Sequence, residues 1–258
     1  MLGAKKKIAQ RDARRLVRVL QEVGGPSGQA LAKGWLVADT LGSWADYAVG
    51  LGMHGPEPDV RVQELVDYYV SRGRVPRIQV PEGADPNWVH SLSSAGFRFY
   101  DREKVLMRPL REPLGMRSNR ISFTRVDPKN SEHLEQWVQA QCHGFNPHET
   151  PSQGAIAIAR RVACSPRAVC LLVFWEGALA ASGGVEFYEQ SSVLFGGATL
   201  PEFRKQGLQG ALINRRLDMA LERGAAYALI GSEPGGGTER NARRAGFELN
   251  HQVFGYKR

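Results

Sequence analysis

The 258-residue sequence predicts an α/β fold in which helices flank a central, mixed and mostly antiparallel sheet. Two observations predict it. An amphipathic helix lies between two apolar segments, Val193–Phe195 and Tyr227–Ile230, which is typical of two parallel strands joined by a crossover helix. A tight turn at Glu176 and Gly177 joins two further apolar segments as an antiparallel hairpin.

The crossover helix is predicted from its apolar stripe and its end. Ile213, Leu217 and Ala220 recur at helical spacing, and charged residues occupy the opposite face. Gly224 follows as a helix-terminating glycine. The uninterrupted apolar segment from Tyr227 is typical of a strand that is buried on both faces.

Three antiparallel strands are predicted before this helix. They span 168–175, 178–188 and 191–199. The third contains Gly196 and Gly197, for which two interpretations remain open. They form either a bulge that only twists the sheet or the start of a ligand-binding opening.

The turn before the crossover helix has the composition of an anion site. The first backbone N–H groups of a helix lack intrahelical partners and attract negative charge. Gly207 and Gly210 lack a Cβ, so a diphosphate could approach the main chain closely. Arg204 and Lys205 could supply compensating charge. The sequence therefore predicts a phosphate-binding turn.

Two segments of the C-terminal half resemble a known family. ATLPEFRKQGLQGAL resembles the R/Q-x-x-G-x-G/A signature of the GCN5-related N-acetyltransferase (GNAT) superfamily, with Arg204 and Gly207 at matching positions. Gln209 departs from it, because the family prefers glycine or alanine there. TERNARRAGF resembles the family's later helix, which ends in a Gly-Phe pair, here Gly246 and Phe247. The resemblance covers about 119–258.

The resemblance implies a GNAT fold and a site for acetyl-coenzyme A. In this family two strands splay apart, the pantetheine arm lies in the opening, and the following turn holds the pyrophosphate. The backbone N–H groups of Ala198, Thr199 and Leu200 would also stabilise the oxyanion of acyl transfer as preorganised donors. The residues expected to bind the cofactor are Ala198, Thr199, Leu200, Arg204, Lys205, Gln206, Gly207, Leu208, Gln209, Gly210 and Asn241.

The catalytic acid and base are not explicit in the sequence. Ser192 occupies the position where some relatives carry a glutamate base, and Ala242 stands where many carry a tyrosine acid. Glu186 and Glu233 are the nearest candidate bases, acting directly or through water, and the alternative is that both are structural or solvated carboxylates. His143 and His148 are candidates for the rim of the acceptor pocket, and the alternative is that they lie in a surface loop.

These residues predict an acetyl-coenzyme A-dependent N-acetyltransferase that acts on a primary amine of a small molecule or peptide. The alternative is a non-catalytic protein that binds or senses coenzyme A. A third interpretation, nucleic-acid binding, rests on seven Lys and Arg against one Asp in the first eighteen residues, but a solvated helix face is favoured. The acceptor, the acyl chain length and the oligomeric state are not predicted.

Composition predicts the cellular compartment and argues against a bound metal ion and against a membrane partner. Three cysteines without metal-ligand spacing, and scattered histidines, favour a reducing cytoplasm and no metal. The apolar segments are far shorter than the ~20 residues of a membrane span, so we expect no membrane partner.

The N-terminal half repeats part of this pattern. LVDYYVSRGRVPRIQV, from Leu65, parallels RLDMALERGAAYALIG, from Arg216, at an offset of 151. The equivalent of the phosphate turn, Met53–Asp59, contains two prolines and two acidic residues and could not hold a diphosphate. The predicted organisation is a truncated, degenerate GNAT-like lobe at 1–110, with a basic N-terminal helix, and a complete acetyltransferase domain at 119–258. The linker is expected in Arg108–Arg120.

Overall fold

A computed structural model describes residues 2–40, 43–53, 55, 57–113 and 118–258. The chain forms two compact units. Unit 1 comprises Met1–Val105 and Asn250–Arg258, and unit 2 comprises Leu106–Leu249. This division differs from the predicted domains, 1–110 and 119–258, mainly because the end of the chain belongs to unit 1. The predicted linker lies within unit 2, although its residues 114–117 are outside the described part.

Unit 1 begins with the predicted basic helix. Leu20 and Val23 are buried, and Ala9 and Ala13 extend the buried face. Its described elements are α1 (Leu2–Val23), β1 (Gln29–Leu31), β2 (Gly34–Leu36), α2 (Val60–Val70), β3 (Arg77–Pro81), α3 (Pro86–Ser94) and the first part of β4 (Arg98–Pro109).

Unit 2 contains the α/β sheet that the sequence predicts. It begins with the end of β4, and its further elements are β5 (Ile121–Arg125), α4 (Ser131–Phe145), α5 (Gln153–Ala163), β6 (Ala168–Trp175), β7 (Ala178–Tyr188), β8 (Ser191–Thr199), α6 (Leu208–Glu222), β9 (Tyr227–Ser232), α7 (Gly237–Arg244) and the start of β10 (Glu248–Lys257). The predicted bounds of β6, β7 and β8 are confirmed.

The strand order in unit 2 is β4-β9-β8-β7-β6-β5. β5, β6, β7 and β8 pair antiparallel with their neighbours, whereas β8 and β9 are parallel and are joined by α6. The mixed, mostly antiparallel sheet is therefore confirmed. In unit 1, β10 pairs antiparallel with β3, from Val253 opposite Pro81 to Lys257 opposite Arg77.

Apolar side chains cover both faces of the unit 2 sheet. Leu194 and Ile230 pack on one face with Leu212 and Leu217 of α6. On the other face, Trp137 of α4 joins a cluster from α5 and β6. This three-layer arrangement places the start of α6 and the end of α4 beside the carboxyl end of β8.

The order helix–strand–helix–strand occurs twice along the chain. α2, β3, α3 and β4 are followed, about 150 residues later, by α6, β9, α7 and β10. Each helix of the two series is followed by a glycine with left-handed backbone. The φ angles are +65° at Gly73 and +89° at Gly96, and +74° at Gly224 and +79° at Gly246.

Candidate functional site

The segment between β8 and α6 presents a series of unbonded backbone N–H groups. A 3₁₀ turn, Pro201–Phe203, follows β8, and α6 begins at Leu208. The first helical hydrogen bond runs from the Ala211 N–H to the Gly207 carbonyl, at 3.1 Å. No described residue accepts a hydrogen bond from the six N–H groups of 205–210. Because such groups carry partial positive charge, this segment can bind an anion.

Two residues of the segment have left-handed backbone, with φ of +66° at Lys205 and +79° at Gly207. Alternation of left-handed and right-handed residues turns N–H groups toward one concave side. A Cβ on Gly207 or Gly210 would have no heavy atom within 4 Å, so both residues border open space. We call residues 204–210 the cradle, because they combine donors with room for a diphosphate.

Side chains fix the cradle to the end of β8. Arg204 donates from Nε to the Thr199 carbonyl at 3.3 Å and from Nη2 to the Gly144 carbonyl at 3.1 Å. Gln209, which departs from the family pattern, donates from Nε2 to the Thr199 hydroxyl at 2.9 Å. Its side chain is therefore directed at β8 and does not approach the open side of Gly207 or Gly210.

β8 and β9 separate beside the cradle. Their parallel pairing ends at Leu194 opposite Ile230, so the last five residues of β8 have no partner in β9. The register of β7 and β8 shifts between Ser182 and Gly184, and Gly196 has a φ of +58°. The bulge therefore coincides with the point where the strands separate, which favours the ligand-opening interpretation over a twist alone.

Two polar side chains hold the bulge from opposite faces. Gln141 of α4 donates from Nε2 to the Gly196 carbonyl at 2.6 Å and to the Ser182 hydroxyl at 2.8 Å. Arg216 of α6 donates from Nη1 to the Gly184 carbonyl at 3.1 Å and to the Phe195 carbonyl at 3.0 Å. Neither Gln141 nor Arg216 is predicted from the sequence. The feature that could have identified them is a polar residue on the apolar face of a helix. Arg216, which directly precedes the core residue Leu217, is an example.

Only one of the three predicted oxyanion donors faces the opening. The Leu200 N–H donates to the Ala180 carbonyl at 2.9 Å, so it is already used in pairing with β7. Hydrogen-bonded and non-hydrogen-bonded pairs alternate along antiparallel strands. Ala198, opposite Ser182, is therefore in a hydrogen-bonded pair, whereas Thr199, opposite Ala181, is not. The N–H of Thr199 therefore points into the opening, and this corrects the prediction for Ala198 and Leu200.

Glu233 lies at the open end of β9. It is exposed and directly follows Ser232, the last residue of the strand. The turn beyond it is anchored, because the Gly235 N–H donates to the buried Glu239 carboxylate at 2.7 Å. Of the two candidate bases, Glu233 is the one that the topology brings to the opening.

Glu186 lies at the other end of the sheet. It is buried and pairs with Val193 of β8, six residues before Thr199. At about 3.3 Å per residue, this separation is about 20 Å. Tyr188 and Tyr227, which could have donated a proton in place of the missing acid, are also remote, since both are opposite Ser191 at the start of β8. The structure therefore does not bring Glu186 or these tyrosines to the opening.

α7 and α4 provide the remaining predicted side chains. The Asn241 Oδ1 accepts a hydrogen bond from Arg244 Nη1 at 3.1 Å, on the partly exposed face of α7. Ala242, at the family's tyrosine position, is fully buried. The last turn of α4 contacts β8 closely, because a Cβ on Gly144 would lie 2.7 Å from the Ala198 Cβ. The partly buried His143 is therefore next to the opening.

Two further properties concern the described residues alone. They contain no group of three or more His, Cys, Asp or Glu side chains placed to hold a metal ion. None of their helices is both long enough and apolar enough to cross a membrane.

Comparison with solved structures identifies the fold, whereas comparison by sequence finds no family. No protein-family model matches the chain, and no curated protein matches it. Among solved structures, a GCN5-related N-acetyltransferase from Kribbella flavida has a TM-score of 0.68 at 16% identity and covers 95% of both chains. Another from Sphaerobacter thermophilus has a TM-score of 0.61 at 15% identity, over 82% of this chain and 71% of that chain.

A tandem GNAT protein from the clavulanic acid biosynthesis pathway is also similar. Its TM-score is 0.64 at 13% identity, over 90% of this chain and 83% of that chain. Because the identities are low, these likenesses concern the fold alone. The chain has the fold of the GCN5-related N-acetyltransferases.

Proposed function

We propose that this protein is an acetyl-coenzyme A-dependent N-acetyltransferase that acts on a primary amine of a small molecule or peptide. The observation that carries the proposal is the cradle beside the strand opening. Unbonded N–H groups at 205–210 suit a diphosphate, and the separation of β8 from β9 beyond Leu194 suits a narrow pantetheine arm. An acetyl thioester held in this way would supply the activated carbonyl carbon for transfer.

The residues at the opening can assist each part of amide formation. Thr199 donates its N–H to the negative charge that develops on the carbonyl oxygen. Glu233, directly or through a water, accepts a proton from the substrate ammonium, so that the nitrogen lone pair can form the new C–N bond. The C–S bond then breaks, and the thiolate takes a proton from solvent, because Ala242 provides no donor.

A second function is favoured by one specific observation. The position that carries a tyrosine acid in many relatives is the fully buried Ala242, and the remote tyrosines do not replace it. The chain could therefore bind or sense coenzyme A without catalysis. Binding of the cofactor supports both functions, and only turnover separates them.

The test combines titration calorimetry with a thiol-release assay. We expect acetyl-coenzyme A to bind to the purified full chain and to release free thiol with some members of a panel of amines, amino acids, polyamines and peptides. Binding without thiol release across the panel would favour the non-catalytic function. Absence of binding would contradict both.

We also propose that unit 1 is a degenerate second copy of the fold. The recurring helix–strand–helix–strand order and the left-handed glycines after the helices support it. The equivalent of the cradle, Met53–Asp59, has prolines and acidic residues in place of donors, although residues 54 and 56 lie outside the described part. The proposal predicts one coenzyme A per chain in the calorimetric titration.

A further inference from the structure

Unit 2 leaves one large apolar side chain exposed beside the strand opening. Phe145, the last residue of α4, is 57% exposed, and no other large apolar side chain among the described residues of unit 2 is exposed. A single exposed phenylalanine is common on protein surfaces and needs no function by itself. What distinguishes Phe145 is its position on the helix and its distance from the end of β8.

Phe145 continues the side of α4 that packs on the sheet. It follows Gln141 by four residues and Val138 by seven, so the three share one side of the helix. Val138 is buried in the cluster with α5 and β6, and Gln141 donates to the Gly196 carbonyl at 2.6 Å. The side that is covered at Val138 and occupied at Gln141 is therefore uncovered at Phe145, one turn beyond the bulge.

The backbone of Phe145 is held close to the proposed oxyanion donor. A Cβ on the preceding residue, Gly144, would lie 3.3 Å from the Thr199 nitrogen. Since consecutive Cα atoms are about 3.8 Å apart, the Phe145 Cα lies within about 9 Å of that nitrogen. Arg204 donates to the Gly144 carbonyl at 3.1 Å and so fixes the last turn of α4 to the cradle. A group bound at the reacting carbonyl is therefore within reach of the phenyl ring.

Two parts of the reacting molecules compete for contact with this ring, the acyl group and the amine acceptor. α4 and β8 approach each other so closely that a Cβ on Gly144 would lie 2.7 Å from the Ala198 Cβ. Little room for an acyl chain remains between them, because an unstrained contact of two carbon atoms needs about 3.5–4 Å. The amine approaches from the solvent side of the opening, which is the side where Phe145 is exposed.

We propose that Phe145 binds an aromatic or branched apolar group of the acceptor, and that the protein thereby favours apolar primary amines over polyamines and other strongly polar amines. This inference rests on the proposed function, because it places the acetyl thioester at the opening. Contact with the ring removes apolar area of both partners from water, and a second aromatic ring adds an offset-stacked or edge-to-face contact. A polyamine loses hydration against the ring without such a gain.

The test compares kcat/KM, measured by thiol release from acetyl-coenzyme A, within two matched pairs of amines. The pairs are 2-phenylethylamine with ethylamine and phenylalaninamide with glycinamide, and spermidine represents the polyamines. We expect the native chain to favour the aromatic member of each pair, and 2-phenylethylamine over spermidine, at least tenfold. Phe145→Ala should reduce these ratios severalfold or more without changing the calorimetric affinity for acetyl-coenzyme A. Phe145→Leu, which keeps an apolar group, should retain most of the preference.

Phe99→Ala is the matched control, because Phe99, on β4 in unit 1, is exposed to a similar extent, 56%. It should leave the ratios unchanged. Ratios near one in the native chain, or native ratios in Phe145→Ala, would overturn the inference while the proposed function stands.

Two further outcomes are also decisive. Suppose that Phe145→Ala keeps the native amine ratios but raises kcat/KM for octanoyl-coenzyme A relative to acetyl-coenzyme A. The ring would then limit the acyl group, and the assignment to the acceptor would be wrong. Absence of thiol release with every amine would overturn the proposed acetyltransferase together with this inference.

Discussion

The guanidinium of Arg216, on α6, donates from Nη1 to the carbonyl oxygen of Phe195, on β8, at 3.0 Å. The same nitrogen reaches the Gly184 carbonyl, on β7, at 3.1 Å. Arg216 is 1% exposed, and burial lowers the pKa of its guanidinium to about 9. A buried cation is costly, yet here it satisfies carbonyl groups that the bulge removes from regular pairing. Arg216 therefore maintains the geometry through which β8 leaves β9.

Replacement of Arg216 by methionine should weaken both the fold and the cofactor site. The variant leaves the Phe195 and Gly184 carbonyls without this donor, and we expect the free energy of unfolding to fall by about 2 kcal/mol. Affinity for acetyl-coenzyme A should fall about tenfold, since the bulge can close toward regular pairing. Urea unfolding and calorimetry measure the two effects. Arg215→Met, at the partly exposed neighbouring position, should change neither, and equal effects of the two variants would contradict this role.

Gly207→Val should block cofactor binding more than it reduces stability. A β-branched residue at a φ of +79° costs roughly 1–2 kcal/mol of backbone strain, and its side chain would enter the open side of the cradle. Gly224→Val is the matched control, because its φ is +74° and its surroundings are also open, but it follows the other end of α6. We expect similar losses in melting temperature and an affinity loss above tenfold only at Gly207. Unchanged affinity there would refute the cradle.

Gln209→Ala tests whether the departure from the family pattern is compensated. If the glutamine filled the cradle, its removal would improve binding. Its Nε2 instead bonds the Thr199 hydroxyl, next to the proposed oxyanion donor, so we expect loss of about 1 kcal/mol, or a fivefold weaker affinity for acetyl-coenzyme A. Calorimetry decides between the two, because a tighter complex in the variant would show that the side chain obstructs the cofactor.

Glu233→Gln should lower kcat about a hundredfold or more if Glu233 removes the proton from the attacking amine. The loss should be greatest below the pKa of the amine, where the base is needed, and smaller at high pH. Affinity for acetyl-coenzyme A should be unchanged, because the cradle is not altered. The pH profile of kcat against a responsive amine provides the measurement.

Glu186→Gln is the comparison for this experiment. The carboxylate is about 20 Å from Thr199 along β8, so kcat should be unchanged. Because Glu186 is buried, the melting temperature of the variant is measured alongside kcat. A drop in kcat for Glu186→Gln with native stability, and none for Glu233→Gln, would reverse the assignment.

The sequence was sufficient for local features of the site and insufficient for contacts between elements. The bounds of β6, β7 and β8 follow from alternating apolar segments and a tight turn, which are local properties. The donors of the cradle also follow from one glycine-bearing turn before a helix. By contrast, the use of the Leu200 N–H by Ala180 depends on which pairs of β7 and β8 are hydrogen-bonded. The amino-acid sequence of one strand does not show which of its residues form hydrogen-bonded pairs with the neighbouring strand.

The division of the chain was unpredictable for a related reason. Asn250–Arg258 belongs to unit 1 because β10 pairs with β3, whose residues are about 170 positions earlier. Pairing at such separation is decided by the packing of whole elements and leaves no local pattern. Arg216 and Gln141 were missed similarly, because each acquires its role from a bulge on a separate strand.

Unit 1 contains a buried group of ionisable residues whose charges should make stability depend on pH. Burial alone would raise the pKa of Asp12, but Arg15, at 2.7 Å, and His251, at 3.5 Å, hold it well below its usual range. Burial, with the nearby charge of Asp12, raises the pKa of Glu103 to about 7. The folded chain therefore favours an ionised Asp12 and a protonated Glu103.

Glu103→Gln should stabilise the protein above neutral pH and have little effect in acid. A carboxyl whose pKa rises from about 4.5 to about 7 on folding stabilises the native state below that window, and this contribution is lost as pH rises through it. Glutamine imitates the protonated carboxyl at every pH, so the variant should gain on the order of 2 kcal/mol at pH 8 and nothing near pH 4. Urea unfolding of both proteins from pH 4 to 8 measures the difference. Glu248→Gln, at an exposed position on β10 and not among the charges that shift the pKa of Glu103, is the control and should remain parallel to the native curve. A constant difference between the Glu103 variant and the native chain at all pH values would show that Glu103 does not titrate in this window.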